Sequence, residues 1–224
     1  MDWVPLYLQR SRSMALNILI DSYKWERFWH QRYVQIACRN FIQVVTVGIL
    51  PHFNRIRHLV VRSFGESICR MILRFTLTKT STTNLQHLEV KFAEPIPRYI
   101  PRPPTLTIQQ GSPQLTYLET ELGLCMPILS SLQNLTTLHL HPLGHGAFLT
   151  YLQLVNILTA SHTLLFLHLE GSHNSEDWPL RAQFVQHVQR GFQLNHLKAL
   201  RLSKWVVGAA RLLMLISAPR LESL

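Results

Sequence analysis

The seven residues Leu135-Thr136-Thr137-Leu138-His139-Leu140-His141 decide how this chain is read. Leu138 and Leu140 alternate with Thr137, His139 and His141, the period of a strand that buries one face and leaves the other open. Leu135 lies outside that alternation and is expected to turn inward just before the strand. The same spacing of aliphatic residues recurs along the chain, and recurrence is the first thing to look for in a sequence. Its other copies are Ile56-Arg57-His58-Leu59-Val60-Val61, Leu85-Gln86-His87-Leu88-Glu89-Val90, Leu115-Thr116-Tyr117-Leu118-Glu119-Thr120, Leu164-Leu165-Phe166-Leu167-His168-Leu169 and Leu197-Lys198-Ala199-Leu200-Arg201-Leu202. A further copy begins at Leu221-Glu222-Ser223-Leu224.

The first residues of successive copies are separated by 29, 30, 20, 29, 33 and 24 positions, which brackets the period of leucine-rich repeats. Between copies the apolar spacing becomes helical: Ile68, Met71, Ile72 and Phe75 fit i, i+3, i+4, i+7, as do Phe148, Tyr151, Leu152 and Val155. Further helical faces are expected at Phe184, Val185 and Val188, closed by Gly191, and at Ala209, Leu212, Leu213 and Ile216, closed by Pro219. The connection holding Pro95, Pro97, Pro101, Pro103 and Pro104 is expected to be an irregular loop, because proline is excluded from helix interiors. The fold class read from this pattern is α/β: a right-handed leucine-rich-repeat solenoid with parallel concave strands and irregular convex helices and loops.

The composition is compatible with one continuous core. The chain has 224 residues, 47% hydrophobic and 15% charged, too apolar for a disordered chain. Its longest early stretch without Lys, Arg, Asp or Glu, Asn40 to Asn54, is interrupted by Gln43, Thr46 and His52 and falls short of a membrane span. The start, Met1-Asp2-Trp3-Val4-Pro5, has no secretory pattern, so an intracellular address in cytoplasm or nucleus is expected. Cys38, Cys69 and Cys125 form no C-x-x-C pair and suit neither a disulfide framework nor a zinc cluster. The formal charge of +10 belongs to the N-terminal half, and no Lys or Arg lies between Arg102 and Arg181.

If the strands stack in register, the residues alternating with the buried leucines form columns on the open face. The central column is Val60, Glu89, Glu119, His139, His168 and Arg201. With Tyr117, His141 and Phe166 alongside, this face is the expected partner-binding surface: Glu89, Tyr117, Glu119, His139, His141, Phe166, His168 and Arg201. Aromatic and charged groups on a rigid sheet are contact chemistry, and Tyr117 and Phe166 are the apolar anchors. Glu119 beside His139 is expected to favour the imidazolium, and His139 beside His168 to disfavour double protonation, so that binding changes between about pH 5 and 7.

The segments Tyr7-Leu8-Gln9-Arg10-Ser11-Arg12-Ser13 and Leu16-Asn17-Ile18-Leu19-Ile20-Asp21, the aromatic group Trp25, Phe28, Trp29 and Tyr33, and then the repeats resemble the F-box proteins with degenerate leucine-rich-repeat tails of mushroom-forming fungi. The resemblance covers most of the chain. It implies an N-terminal helix-strand-helix capping region over residues 1–50, like a post-F-box linker, and a solenoid over 51–224. It further implies a tail that captures a protein substrate for a cullin ubiquitin ligase, with the ligase linker subunit bound only if an F-box precedes Met1. The chain itself carries no F-box and ends inside a copy at Leu224, so a C-terminally truncated fragment is expected, and a decayed, functionless gene fragment is an alternative reading.

Three further functional classes turn on particular residues. His139, His141 and His145 are close enough for metal ligation, with Glu119, Glu121 or His168 as a further ligand, but no cysteine completes the set and no metal site is assigned. Arg10, Arg12, Arg27, Arg32, Arg39, Arg55, Arg57 and Arg62 make the basic half an alternative nucleic-acid surface, though no nucleic-acid motif accompanies them. None of G-x-S-x-G, G-x-x-x-x-G-K or H-E-x-x-H is present, so no catalytic residue and no cofactor is assigned. The expected function is non-catalytic protein binding.

Overall fold

The structure is a computed structural model, and it describes residues 3–21, 48–63, 84–92, 114–121, 133–141, 151–170, 192–203 and 209–224. In chain order its elements are α1 (Trp3–Arg10), β1 (Leu16–Asp21), a 3-10 turn (Leu50–Arg55), β2 (Ile56–Ser63), β3 (His87–Phe92), β4 (Tyr117–Glu121), β5 (Thr137–His141), α2 (Tyr151–Ala160), β6 (Phe166–Glu170), β7 (Phe192–Gln193), β8 (Ala199–Ser203), α3 (Ala209–Leu215) and β9 (Ile216–Ser217). The fold is α/β, with a seven-stranded sheet in the order β1-β2-β3-β4-β5-β6-β8, parallel throughout. Each strand thus lies beside its neighbour in sequence, apart from the short β7, which pairs with β9 in a separate two-stranded ladder.

The register follows the aliphatic spacing. Ile18, Leu59, Leu88, Leu118, Leu138, Leu167 and Leu200 align across all seven strands. All but the partly buried Ile18 are fully enclosed. The first aliphatics of the copies, Ile56, Leu85, Leu115, Leu135, Leu164 and Leu197, form a second enclosed row. Stacking buries each leucine between those of the adjacent strands, a contact that no copy makes alone.

One hydrogen-bonding unit recurs at the joints. The carbonyl of the second residue in a copy accepts N–H groups from the second and third residues of the next: Gln86 O from Thr116 and Tyr117, Thr116 O from Thr136 and Thr137, Thr136 O from Leu165 and Phe166, Leu165 O from Lys198 and Ala199, and Lys198 O from Glu222 and Ser223, all at 2.7–3.1 Å. Thr116 and Thr136 also donate their hydroxyls to the carbonyl of the preceding copy. The last of these joints brings Leu221-Glu222-Ser223-Leu224 beside β8, where Ser223 bridges Ala199. Entry into the strand recurs too: Leu164, Leu197 and Leu221 each donate to the carbonyl three residues earlier, on Ser161, Leu194 and Ala218.

Two expected helical faces meet the structure. In α2 the buried residues are Leu154, Ile157 and Leu158, with Val155 at the margin of the core. In α3, Leu212 and Leu215 are buried while Leu213 is exposed, and Ile216 leaves the helix to pair with Phe192 in β9. Leu212 and Leu215, three apart, set the inner face and leave Leu213 outside it, while Ile216 packs against the core from the parallel ladder rather than from the helix. The expected helices at 68–75 and 184–188 and the proline-rich connection lie outside the described residues.

At the N-terminal side β1 pairs with β2, with a register shift between Leu16 and Asn17, so the sheet runs across residue 50. Arg55 fastens α1 to the 3-10 turn: its guanidinium donates to the carbonyls of Leu8 and Met14 and, at 2.7 Å, to Ser11 Oγ. Arg12 has a positive φ of 42° in the turn that closes α1, the left-handed conformation common just past a helix end.

Candidate functional site on the polar face of the sheet

Alternation on parallel strands forces the side chains next to the buried leucines onto the opposite face. The central column pairs as Leu19, Val60, Glu89, Glu119, His139, His168 and Arg201, one residue per strand. Beside it runs Asn17, His58, His87, Tyr117, Thr137, Phe166 and Ala199. All eight candidate binding residues therefore stand on one face, but they do not stand there alike.

The two carboxylates expected to be exposed are buried, Glu89 at 8% and Glu119 at 7% of full exposure. Their burial is compensated by ion pairs from the third column. Arg62 Nη2 lies 3.1 Å from Glu89 Oε1, and Lys91 Nζ lies 3.1 Å from the same oxygen and 2.9 Å from Glu119 Oε1. Tyr117 donates its hydroxyl to Glu119 Oε2 at 2.7 Å. His141 spans two strands, with Nε2 2.8 Å from Glu119 Oε1 and Nδ1 2.7 Å from Glu170 Oε2. Carboxylates only accept, so both ring nitrogens donate when the two contacts are made together.

This network sets the ionisation of its members. Burial works against the Glu119 carboxylate, but the hydrogen bonds from Tyr117, Lys91 and His141 outweigh it and hold its pKa down to about 2. Burial likewise opposes the Lys91 ammonium, and Glu119 and Glu89 reverse the effect and raise its pKa. Burial raises the pKa of Tyr117, and its bond to Glu119 adds to the rise. Phenol, ammonium and carboxylate are thereby fixed in their ordinary neutral-pH forms.

The imidazoles depart from expectation. Burial lowers the pKa of His139; Glu119 opposes this, but His141, Lys91 and Arg201 reinforce it, and the net shift is downward. The reason is geometric: Glu119 spends its oxygens on Tyr117, Lys91 and His141, and His139 Nδ1 stays 3.9 Å away. His168 is lowered by burial and by His139, Arg201 and His141, and its Nε2 sits 2.9 Å from Ser203 Oγ. His87 is lowered by burial and by His58.

A chain of rings crosses five strands. His58 and His87 are 5.3 Å apart, His87 and Tyr117 stack at 4.0 Å and 7°, Tyr117 and His139 are 5.6 Å apart, and His139 meets His168 edge-on at 5.2 Å. Phe166 stands outside this chain, 44% exposed, with the small Ala199 beside it on β8. Arg201, at the end of the central column, is exposed. Sequence reasoning singled out the central column and passed over Arg62, Lys91 and Glu170 as partners. The signal available was local: Lys91 follows Glu89 by two residues on one strand and so shares its face.

Of the basic residues considered for nucleic acid, Arg55 and Arg62 are committed internally, and Arg27, Arg32 and Arg39 lie outside the described residues. Among the described residues no group of three His, Cys, Asp or Glu is disposed to hold a metal, and no helix is long and apolar enough to cross a membrane. His145 lies outside them. Compared with protein families, curated proteins and solved structures, the chain matches none.

Proposed function

We propose that the chain is a right-handed leucine-rich-repeat solenoid whose polar strand face binds a protein partner and carries out no reaction of its own. The observation that carries this reading is the register, which sets aromatic, imidazole and guanidinium groups in columns on one rigid face, one strand apart. A buried ion-pair network holds those columns, so the surface is ordered before any partner arrives, and pre-organisation reduces the entropy that binding costs. Right-handedness is the usual sense of crossovers between parallel strands. The resemblance to the tails of F-box receptors extends the reading to substrate recognition for a ubiquitin ligase, in a protein that also supplies the F-box.

Photo-crosslinking tests the binding role. A photoreactive phenylalanine analogue placed at Phe166 in the full chain is expected to give discrete protein adducts in cells. The same analogue at Tyr7, exposed on α1 rather than on a strand, is expected to give none of them. Adducts that are identical at both positions, or absent at Phe166, would overturn the reading.

A further inference from the structure

The charges on the polar face are unevenly spent. Over β2 to β6, Arg62 and Lys91 are paired with Glu89 and Glu119, while Glu119 and Glu170 are held by His141. Groups already satisfied in this way give a partner little electrostatic reward, since a new bond would break an old one. The β6–β8 end differs. Among the described residues Arg201 makes no ion pair, and the nearby Lys198 is 3.5 Å from Glu222. Glu170, the nearest carboxylate on β6, is committed to His141.

We infer that this end of the face, built on Phe166 and Arg201, is the docking point for an extended acidic segment of a protein partner, in which an apolar side chain and a carboxylate stand two residues apart. The inference rests on the protein-binding reading and adds the chemistry of the partner. Phe166 pairs with Ala199, and Arg201 lies two residues further along the parallel strand β8, so the two side chains leave the sheet from points on a diagonal of about 8 Å. In an extended peptide, side chains two residues apart point the same way and are separated by about 6.8 Å. The difference is within the reach of a ring and a guanidinium on its flexible stem. The apolar side chain rests on the exposed ring over the small Ala199, and the carboxylate accepts from the guanidinium, which suits bidentate carboxylate recognition. His139 and His168, kept neutral by burial and by their cationic neighbours, supply a wall of rings without adding charge. The Arg201 guanidinium, exposed and without an ion pair among the described residues, favours an acidic segment over a basic one. A phosphate backbone is a poorer occupant, because no Lys or Arg lies between Arg102 and Arg181 to continue the contact across β4 to β6.

The test uses the full chain and fluorescein-labelled Gly-Ser peptides with a central Leu-Ser-Glu, Leu-Ser-Gln or Gly-Ser-Glu, read by fluorescence anisotropy. The Leu-Ser-Glu peptide is expected to bind saturably, and to lose about tenfold or more on the Glu-to-Gln change, with the Arg201→Ala variant, or with the Phe166→Ala variant. Lys198→Ala serves as the neighbouring-charge control and is expected to leave binding unchanged. Circular dichroism checks that each variant stays folded, and Arg201→Gln, which keeps the side-chain length, gives the same loss if charge is the cause. Equal binding of the Gln peptide, indifference to Arg201, no saturable binding at about millimolar peptide, or equal binding of an oligothymidylate would each overturn the inference. The crosslinking arm separates the two conclusions: adducts at Phe166 whose contact peptides lack an acidic residue refute the acidic segment while leaving protein binding in place.

Discussion

Replacing Glu119 by Gln removes one negative charge from the centre of the sheet while keeping the shape of the side chain. In the native protein that carboxylate is nearly enclosed and accepts from Tyr117 at 2.7 Å, Lys91 at 2.9 Å and His141 at 2.8 Å. Its folded pKa of about 2 lies below the ordinary glutamate value of 4.5, so between those values the unfolded chain binds the proton more readily. The stabilisation is therefore complete above about pH 4.5 and is lost as pH falls towards 2. At about 1.4 kcal/mol per unit, the charge is worth on the order of 3 kcal/mol near neutrality. The assay is urea unfolding followed by far-ultraviolet circular dichroism for the native chain and Glu119→Gln across the acid range. The other titrating groups are common to both chains and cancel to first order in the difference. A cost of about 2–3 kcal/mol at pH 7 that shrinks towards zero near pH 2 is expected. A difference of the same size at both ends, or one below about 0.5 kcal/mol at pH 7, would refute the claim that the ionised carboxylate organises the face.

Other consequences are equally direct. Leu138→Ala or Leu167→Ala, each enclosed between leucines of adjacent strands, should cost about 2–5 kcal/mol of unfolding free energy, and a near-zero cost would contradict the packing. His87, His139 and His168 all have pKa values lowered from 6.5, so the unfolded chain takes up their protons first; stability should be full above about pH 6.5 and fall below it, a decline that the triple His-to-Gln variant should flatten. Ser161 Oγ is buried with no hydrogen-bond partner among the described residues, so Ser161→Ala should be neutral or stabilise by up to about 1 kcal/mol in the same urea titration.

The spacing of aliphatic residues was enough to read β2 to β6 and β8 and their alignment, because burial on one face leaves a two-residue period. Leu59, Leu88, Leu118, Leu138, Leu167 and Leu200 announce their row, and the central column from Val60 to Arg201 follows from it. What was not legible depends on reach rather than period. That Lys91 bonds carboxylates on both its own strand and β4, while His139 Nδ1 stays 3.9 Å from Glu119, is decided by the length and direction of side chains. The end of α3 escaped for another reason: Leu212, Leu213 and Ile216 satisfy a helical spacing, yet the backbone of Ile216 finds Phe192 across a two-residue ladder too short to have a period. The strand-entry turns at Ser161, Leu194 and Ala218 share no residue type that would mark them.

The joint in which one carbonyl receives two N–H groups of the next copy has an implication for how such a chain can change over time. It involves only residues inside the repeated motif, whose copies begin 20 to 33 positions apart, so the stretches between motifs have no part in it. Gains and losses of sequence in those intervals are uncoupled from the alignment of the strands. Evolution can therefore change the length of the connections while inheriting the sheet as a fixed ruler, provided that apolar residues such as Leu154, Ile157, Leu158, Leu212 and Leu215 still cover the core.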